Sequence, residues 1–449
     1  MNMKLLTFFH PLTGIRAHSR SCAVAASLAA ALVFTACGGG GAGGGTDTGL
    51  AAPAANAAKS ELVSEGVISG FGSVIVNGVR YDDSKAKIED ADDEDNPLRN
   101  KDDLRLGMVV TVTGSSATNT GTATGTGTAS VVSFGSQLKG PVQSIDGATT
   151  VTATATVVTG SSTTSTTAAS SHTLVILGQT VEIGAWTVFD PLSLPSGFSS
   201  IATGNVLEVH GHLSPALNRM IATRISKENN AAVYKITGNV SSLDAASKSF
   251  KIGTENFSYA NIAADKMRVA LANGLTVKVR LDSVQTTTAT WTVTRINPAK
   301  KVLKERVNAE VEGVITAFTS ATAFSVNGLV VDATNASFRQ GTATLALGVR
   351  VEVKGTVVDG KLVATSVKTE GRERAADNGN VIELHGKISA LNTTAQTFSL
   401  RGLTVSYAGS VNFQRGSAAN LVNGVEVEVK GQAAGGGTTV QATRIKFED

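Results

Sequence analysis

Cysteine is nearly absent from this 449-residue chain, which has only Cys22 and Cys37. Two thiols so placed offer no disulfide framework and no cysteine metal site. Aromatic residues are scarce at 5%, so a row of rings on which bases could stack is not to be had. Trp186 and Trp291 fall in different strands, while Phe250, Phe324 and Phe398 recur at matching positions, as core residues do. A surplus of one charge is missing too. The formal net charge is +3, and residues 1–36 hold Lys4, Arg16 and Arg20 with no acid; the remainder has 36 basic against 36 acidic residues. A neutral chain has no electrostatic footprint for nucleic acid and no general attraction to lipid surfaces. Catalytic signatures are lacking as well. There is no Gly-x-Ser-x-Gly elbow and no His-Glu-x-x-His pair, and the glycine-rich run at 38–45 has neither the preceding strand nor the following Lys-Ser/Thr of a phosphate loop. No enzyme, no catalytic residue and no cofactor is expected.

What the chain does have is 47 glycines and many Val and Thr residues. β-Branched side chains are stiff at χ1 and suit a pleated sheet, and frequent Gly suits tight turns. An all-β fold of short strands follows.

The N-terminus reads as an address. After three basic residues, Ser21 to Ala36 is a run of small and apolar residues too short to span a bilayer comfortably, with the layout of an export signal. It ends Phe34-Thr35-Ala36-Cys37 and is followed by Gly38-Gly39-Gly40. This ending resembles the lipobox of bacterial lipoproteins, although Phe34 stands where Leu is usual. The resemblance implies cleavage after Ala36, so that residues 1–36 are the signal peptide. It also implies lipid attachment at Cys37 and loss of Cys22. Residues 37–60, rich in Gly and Ala, form a flexible tether. Gly38 rather than Asp after the cysteine implies the outer membrane by resemblance to the sorting rule of Gram-negative lipoproteins.

Beyond the tether one signature recurs five times: an apolar residue, two spacers, a Gly, then an alternating strand that reaches a second Gly. Its first glycines are Gly107, Gly204, Gly274, Gly348 and Gly424; its second are Gly114, Gly211, Gly355 and Gly431, with Leu281 in the third copy. The residue between the two apolar strand positions is Thr111, Glu208, Lys278, Glu352 or Glu428, as in a half-buried strand with one wet face. Each copy opens on a Gly-plus-apolar strand and then runs into a hairpin; Asn77-Gly78 and Asn327-Gly328 suit two-residue turns with positive φ at both positions. A last strand such as Ala222-Thr-Arg-Ile225, Ala364-Thr-Ser-Val367 or Ala442-Thr-Arg-Ile445 closes the copy. The spacer before the first Gly has room for a single helical turn. The expected architecture is a tandem array of five small antiparallel barrels, since closure removes sheet edges. Their bounds are 61–134, 136–228, 233–298, 308–370 and 380–449.

Units of this pattern behind a lipoprotein signal resemble a bacterial family known as domain of unknown function 5666. The resemblance covers most of residues 61–449 and implies OB-like small barrels; the family carries no established activity.

No metal site is expected. The nearest approach to one is the acidic run Glu89-Asp90-Ala-Asp92-Asp93-Glu94-Asp95, where Asp90, Asp92 and Glu94 stand at alternate positions suited to Ca²⁺. An EF-hand register from Asp90 fails, with Asp95 at position six and Lys101 at position twelve. A solvated loop is the plainer expectation. His210 and His212 flank Gly211 on one strand face and could share a metal, but their aligned positions look like ordinary exposed strand sites. His172 and His385 have no evident partners. The chain thus reads as a lipid-anchored envelope protein whose repeats, on a string, form a multivalent binding or scaffolding array. Expected partners are the membrane, through the anchor, and envelope polysaccharide, peptidoglycan or another protein, without nucleic acid. The alternatives are a hydrolase with its site between repeats and a passive spacer.

Overall fold

A computed structural model describes residues 61–118, 125–150, 170–214, 219–284, 290–299, 303, 305, 307–339, 341–342, 345–370, 382–434 and 438–448. The expected signal peptide, Cys37, the expected tether and most of the Thr-rich insert at 148–171 lie outside the described residues. Those described form strands joined by turns, without an α-helix, and single 3-10 turns fall at Lys101–Asp103, Gly197–Ser200, Ala264–Lys266 and Ala418–Asn420, in the spacers where a helical turn was expected.

The strands close into circuits. In the first, Glu61–Phe71 pairs antiparallel with Val74–Val76, which pairs with Val79–Asp82. That strand lies parallel to the closing strand Thr126–Phe134. The closing strand runs antiparallel to the signature strand Val109–Thr118, which returns to Glu61–Phe71. The same order recurs downstream, its parallel step formed by Val181↔Met220, Phe257↔Trp291, Val331↔Leu362 and Val405↔Val440. Such small closed sheets are OB-like barrels. Their interiors hold the alternating apolar residues, among them Tyr81, Phe250, Phe257 and Phe398, all fully buried.

Hydrogen bonds and register account for the signature. Its first Gly has φ between +78° and +93° in all five copies, a left-handed conformation that favours glycine. Its N–H donates back to the opening strand: Gly107 to Ile68 O, Gly204 to Val142 O, Gly274 to Val240 O, Gly348 to Ile315 O and Gly424 to Ile388 O, at 2.8–3.0 Å. The second Gly sits at a β-bulge, where the closing strand inserts one extra residue. A Cβ on Gly114, Gly211, Gly355 or Gly431 would come 2.0–2.4 Å from a carbonyl oxygen of that strand. The inserted residue is Ser130, Thr223, Thr294, Thr365 or Thr443. In four copies its hydroxyl donates to the carbonyl of the residue before the bulge (Thr113, Arg280, Lys354 or Lys430), at 2.8–3.2 Å. The exception is Thr223, whose buried hydroxyl has no partner. At the hairpins, Asn77-Gly78 and Asn327-Gly328 have positive φ at both residues, as the turn chemistry requires.

The barrels are not beads on a string. Glu61–Phe71 pairs parallel with Asn308–Ser320, from Leu62↔Asn308 to Glu65↔Val311, and with Ile382–Lys387 at Gly70↔Glu383 and Phe71↔Leu384. Leu138–Thr150 pairs with Val233–Asn239 at Leu138↔Ile236 and Lys139↔Lys235. One apolar cluster is shared by the barrels at 61–134 and 382–447, and another by those at 138–228 and 233–298.

Candidate functional site

The acidic run is an internal dock rather than a solvated loop. It follows strand Lys87–Asp90, and its residues reach the barrel of residues 233–298. The Asp92 carboxylate, 5% exposed, accepts from Lys235 Nζ at 2.9 Å and Lys278 Nζ at 2.5 Å. The Ser136 backbone N–H also donates to it at 2.8 Å. Burial alone would raise this carboxyl, but Lys278 and Lys235 outweigh burial and hold it well below the usual carboxylate range. Glu94 pairs with Arg268 at 2.8 Å and Arg295 at 2.9 Å, and accepts from Asn297 Nδ2 at 2.7 Å. Asp95 pairs with Arg295 at 3.3 Å. Asp90 shares Arg99 with Asp93, at 3.3 and 2.7 Å. Asp90, Asp92 and Glu94 are therefore matched by fixed cations, which occupy the role a Ca²⁺ ion would fill.

The wet-face positions of the signature are engaged in the same way. Lys278 binds Asp92. Glu208 binds Lys235 at 3.3 Å, and against the cost of burial Lys235, His210 and Lys139 bring its carboxyl down to about 2. Glu352 pairs with Lys354 and Lys368, and Glu428 with Arg444 and Lys446. The alternation of the signature gave their direction; it could not give their partners, which for Lys278 and Glu208 include residues of other barrels and for Glu352 and Glu428 are cations of the same barrel.

His210 and His212 are buried, at 2% and 5% exposure, instead of sitting at open strand positions. They also part company. The bulge between His210 and Gly211 sets His210 opposite Arg224 and His212 opposite Ile221. The charges nearest His210 are Glu208, Arg224, Lys235 and Asp92, whereas His212 faces Arg350 and Asn327. Burial pushes them down to about 4 and about 3, so both are neutral at physiological pH.

A cleft of about 450 Å³ lies beside the dock, walled by three barrels. Asp90, Asp93, Arg99, Met108 and Phe134 line it from the first, Ser136, Lys139, Glu208 and His210 from the second, and Lys235 and Arg280 from the third. His210 Nδ1 is buried without a hydrogen-bond partner, and the Ser136 hydroxyl is directed at Glu208. Sequence reasoning missed Ser136, Lys235 and Arg280, which stand in no motif; only the fold brings them to the acidic run.

A second cluster joins Glu383, His385 and Glu428, with candidate ligand atoms within 4.8 Å of one another. His385, which seemed partnerless in the sequence, has Nε2 3.2 Å from Glu383 and Nδ1 3.5 Å from Glu448. Arg80 and Lys430 pair with Glu383, and Arg444 and Lys446 with Glu428. Four cations already neutralise these carboxylates and would repel a metal ion, so the cluster is an ion-pair network between the first and last barrels.

Closed five-strand circuits, each with a bulged signature strand, define a chain of tandem OB-like barrels. Residues 164–226, 312–368 and 385–446 each match the family described as Domain of unknown function (DUF5666), a threefold match consistent with tandem repeats of that domain. No curated protein matches the chain. A solved structure titled "drosophila Unr CSD456" is similar at 14% identity over 49% of this chain and 98% of that one, with a TM-score of 0.12, and at that score adds nothing to the assignment.

Proposed function

We propose that the protein is a lipid-anchored, non-enzymatic binding or scaffolding protein of the cell envelope, held at Cys37 and favouring the outer membrane. Its partner is envelope polysaccharide, peptidoglycan or another protein. The observation that carries the binding reading is the polar three-barrel cleft, into whose wall the buried His210 brings a ring nitrogen with no partner of its own. A row of equivalent weak sites is less well supported, because Glu208, Lys278, Glu352 and Glu428 are already engaged in ion pairs. A hydrolase with its site in this cleft is disfavoured by the state of three of the carboxylates there. Asp92, Asp93 and Glu208 are all held below the usual range, which leaves them ionised and without a proton to donate to a leaving group.

Two measurements test this reading. Expressed with its own signal, the full chain partitions into membranes, and Cys37→Ser moves it to the soluble fraction; an unchanged partition refutes acylation at Cys37. The full chain purified in detergent should co-sediment with peptidoglycan sacculi or be retained by immobilised envelope polysaccharide or envelope protein. Retention by none of them leaves the passive spacer.

A further inference from the structure

Resting on the binding reading above, we infer that the cleft between the first three barrels takes a neutral polyhydroxylated ligand, a short stretch of saccharide. Five carboxylates (Asp90, Asp92, Asp93, Asp103 and Glu208) and four cations (Arg99, Lys139, Lys235 and Arg280) line the same space. An anionic ligand would meet the carboxylates and a cationic one the four cations, so neither sign has a welcoming field. Hydroxyl groups, which donate and accept alike, suit a wall of mixed charge.

The buried polar atoms call for the same chemistry. His210 is 2% exposed and Ser136 1% exposed, and both line the cleft. His210 Nδ1 lacks a partner, while buried polar atoms in native proteins are nearly always satisfied; the Ser136 hydroxyl donates toward Glu208 and keeps its lone pairs for a ligand. A neutral imidazole offers one donor and one acceptor, and the serine oxygen accepts, matching a sugar hydroxyl on either side. Arg280 lines the cleft where its charge acts on Asp93, and a guanidinium has five N–H donors, enough to serve a carboxylate and a ligand hydroxyl together. Phe134 and Met108 supply an apolar wall for the C–H face of a sugar ring. The volume lies within the range of small-ligand pockets.

The test presents the full chain in detergent to an array of neutral oligosaccharides, with acidic oligosaccharides and spermidine as charged comparators, followed by calorimetry on any glycan retained. The expected result is binding to a neutral glycan, weakened at least tenfold by Arg280→Ala and by Ser136→Ala, with unfolding temperatures within 2–3 °C of wild type. Binding to no neutral glycan, preference for a charged comparator, or affinity unchanged in both variants overturns the inference. If sacculi or envelope protein are still bound in those cases, the binding-protein reading stands while the saccharide assignment falls; if nothing is bound, both fall. Should a variant fail to fold, Ser136→Cys and Arg280→Gln report on the same contacts with the side-chain volume nearly kept.

Discussion

Asp92→Ala is expected to destabilise the folded chain by about 3–5 kcal/mol, because it strands the Lys278 ammonium and leaves Lys235 with Glu208 alone. Lys235 and Lys278 both point at that carboxylate, and their side chains are only 14% and 22% exposed. Removal of one partner of a buried ion pair leaves the other desolvated without compensation. The loss reaches beyond the local contact, since Asp92 also accepts from the Ser136 backbone and so ties the first barrel to the start of the second. Urea unfolding of wild type and variant checks the magnitude, and a change below 1 kcal/mol would show that the dock carries little. The pH dependence follows from the same carboxylates. The folded-state values of Asp92 and Glu208 are depressed, so their contribution is present above the unfolded value and lost as pH falls through the folded one. For Glu208 the window runs from 4.5 down to about 2, and for Asp92 it extends lower. Wild type should lose stability steadily on acidification below about pH 4.5. Asp92→Ala, already without its share, should show a shallower slope over the same range.

Gly355→Val is expected to cost roughly 1–3 kcal/mol or more from overpacking at the bulge. A Cβ at that position would lie 2.1 Å from the Val363 carbonyl oxygen and 2.9 Å from Ala364 Cα, both backbone atoms of the closing strand that cannot rotate away. Even Gly355→Ala should destabilise, although alanine is ordinarily the milder change in a strand. The third barrel provides the contrast. Its register also shifts between Arg280 and Leu281, yet the residue there is leucine, fully buried and opposite Val293. Leu281→Gly should therefore destabilise by emptying core volume, with Leu281→Ala costing about 2–5 kcal/mol. Opposite outcomes for glycine at equivalent positions are readily compared by thermal unfolding. Equal tolerance of Val and Gly at position 355 would sink the steric account.

The local rules of the barrels were legible in the sequence because they act over a few residues. Strand alternation, the Asn-Gly turns, the spacer turn and the recurrence of Gly107, Gly204, Gly274, Gly348 and Gly424 all answer to short-range geometry. The core role of Phe250 and Phe398 was legible for the same reason. The docking of the acidic run was not. Asp92 meets Lys235 across 143 residues and Lys278 across 186, and nothing in the local pattern of Lys278 distinguishes a cation facing water from one facing a carboxylate. The histidines were misjudged because alignment with Lys354 and Thr356 suggested an open face; in the second barrel that face is covered by other barrels. Ser136 and Arg280 carried no signal, being single residues of common types whose meaning comes from the cleft around them.

The parallel ladder between Glu61–Phe71 and Asn308–Ser320 has a bearing on how the molecule is made. Synthesis delivers the N-terminal barrel first. One flank of its longest strand then has no neighbour until Asn308–Ser320 emerges, and another part waits for Ile382–Lys387. Non-local pairing of this kind is slow, and an open flank is a template for association with other chains. The earliest-made barrel is therefore left open until strands of the last two barrels arrive, and maturation of the nascent chain is governed by the arrival of its C-terminal third.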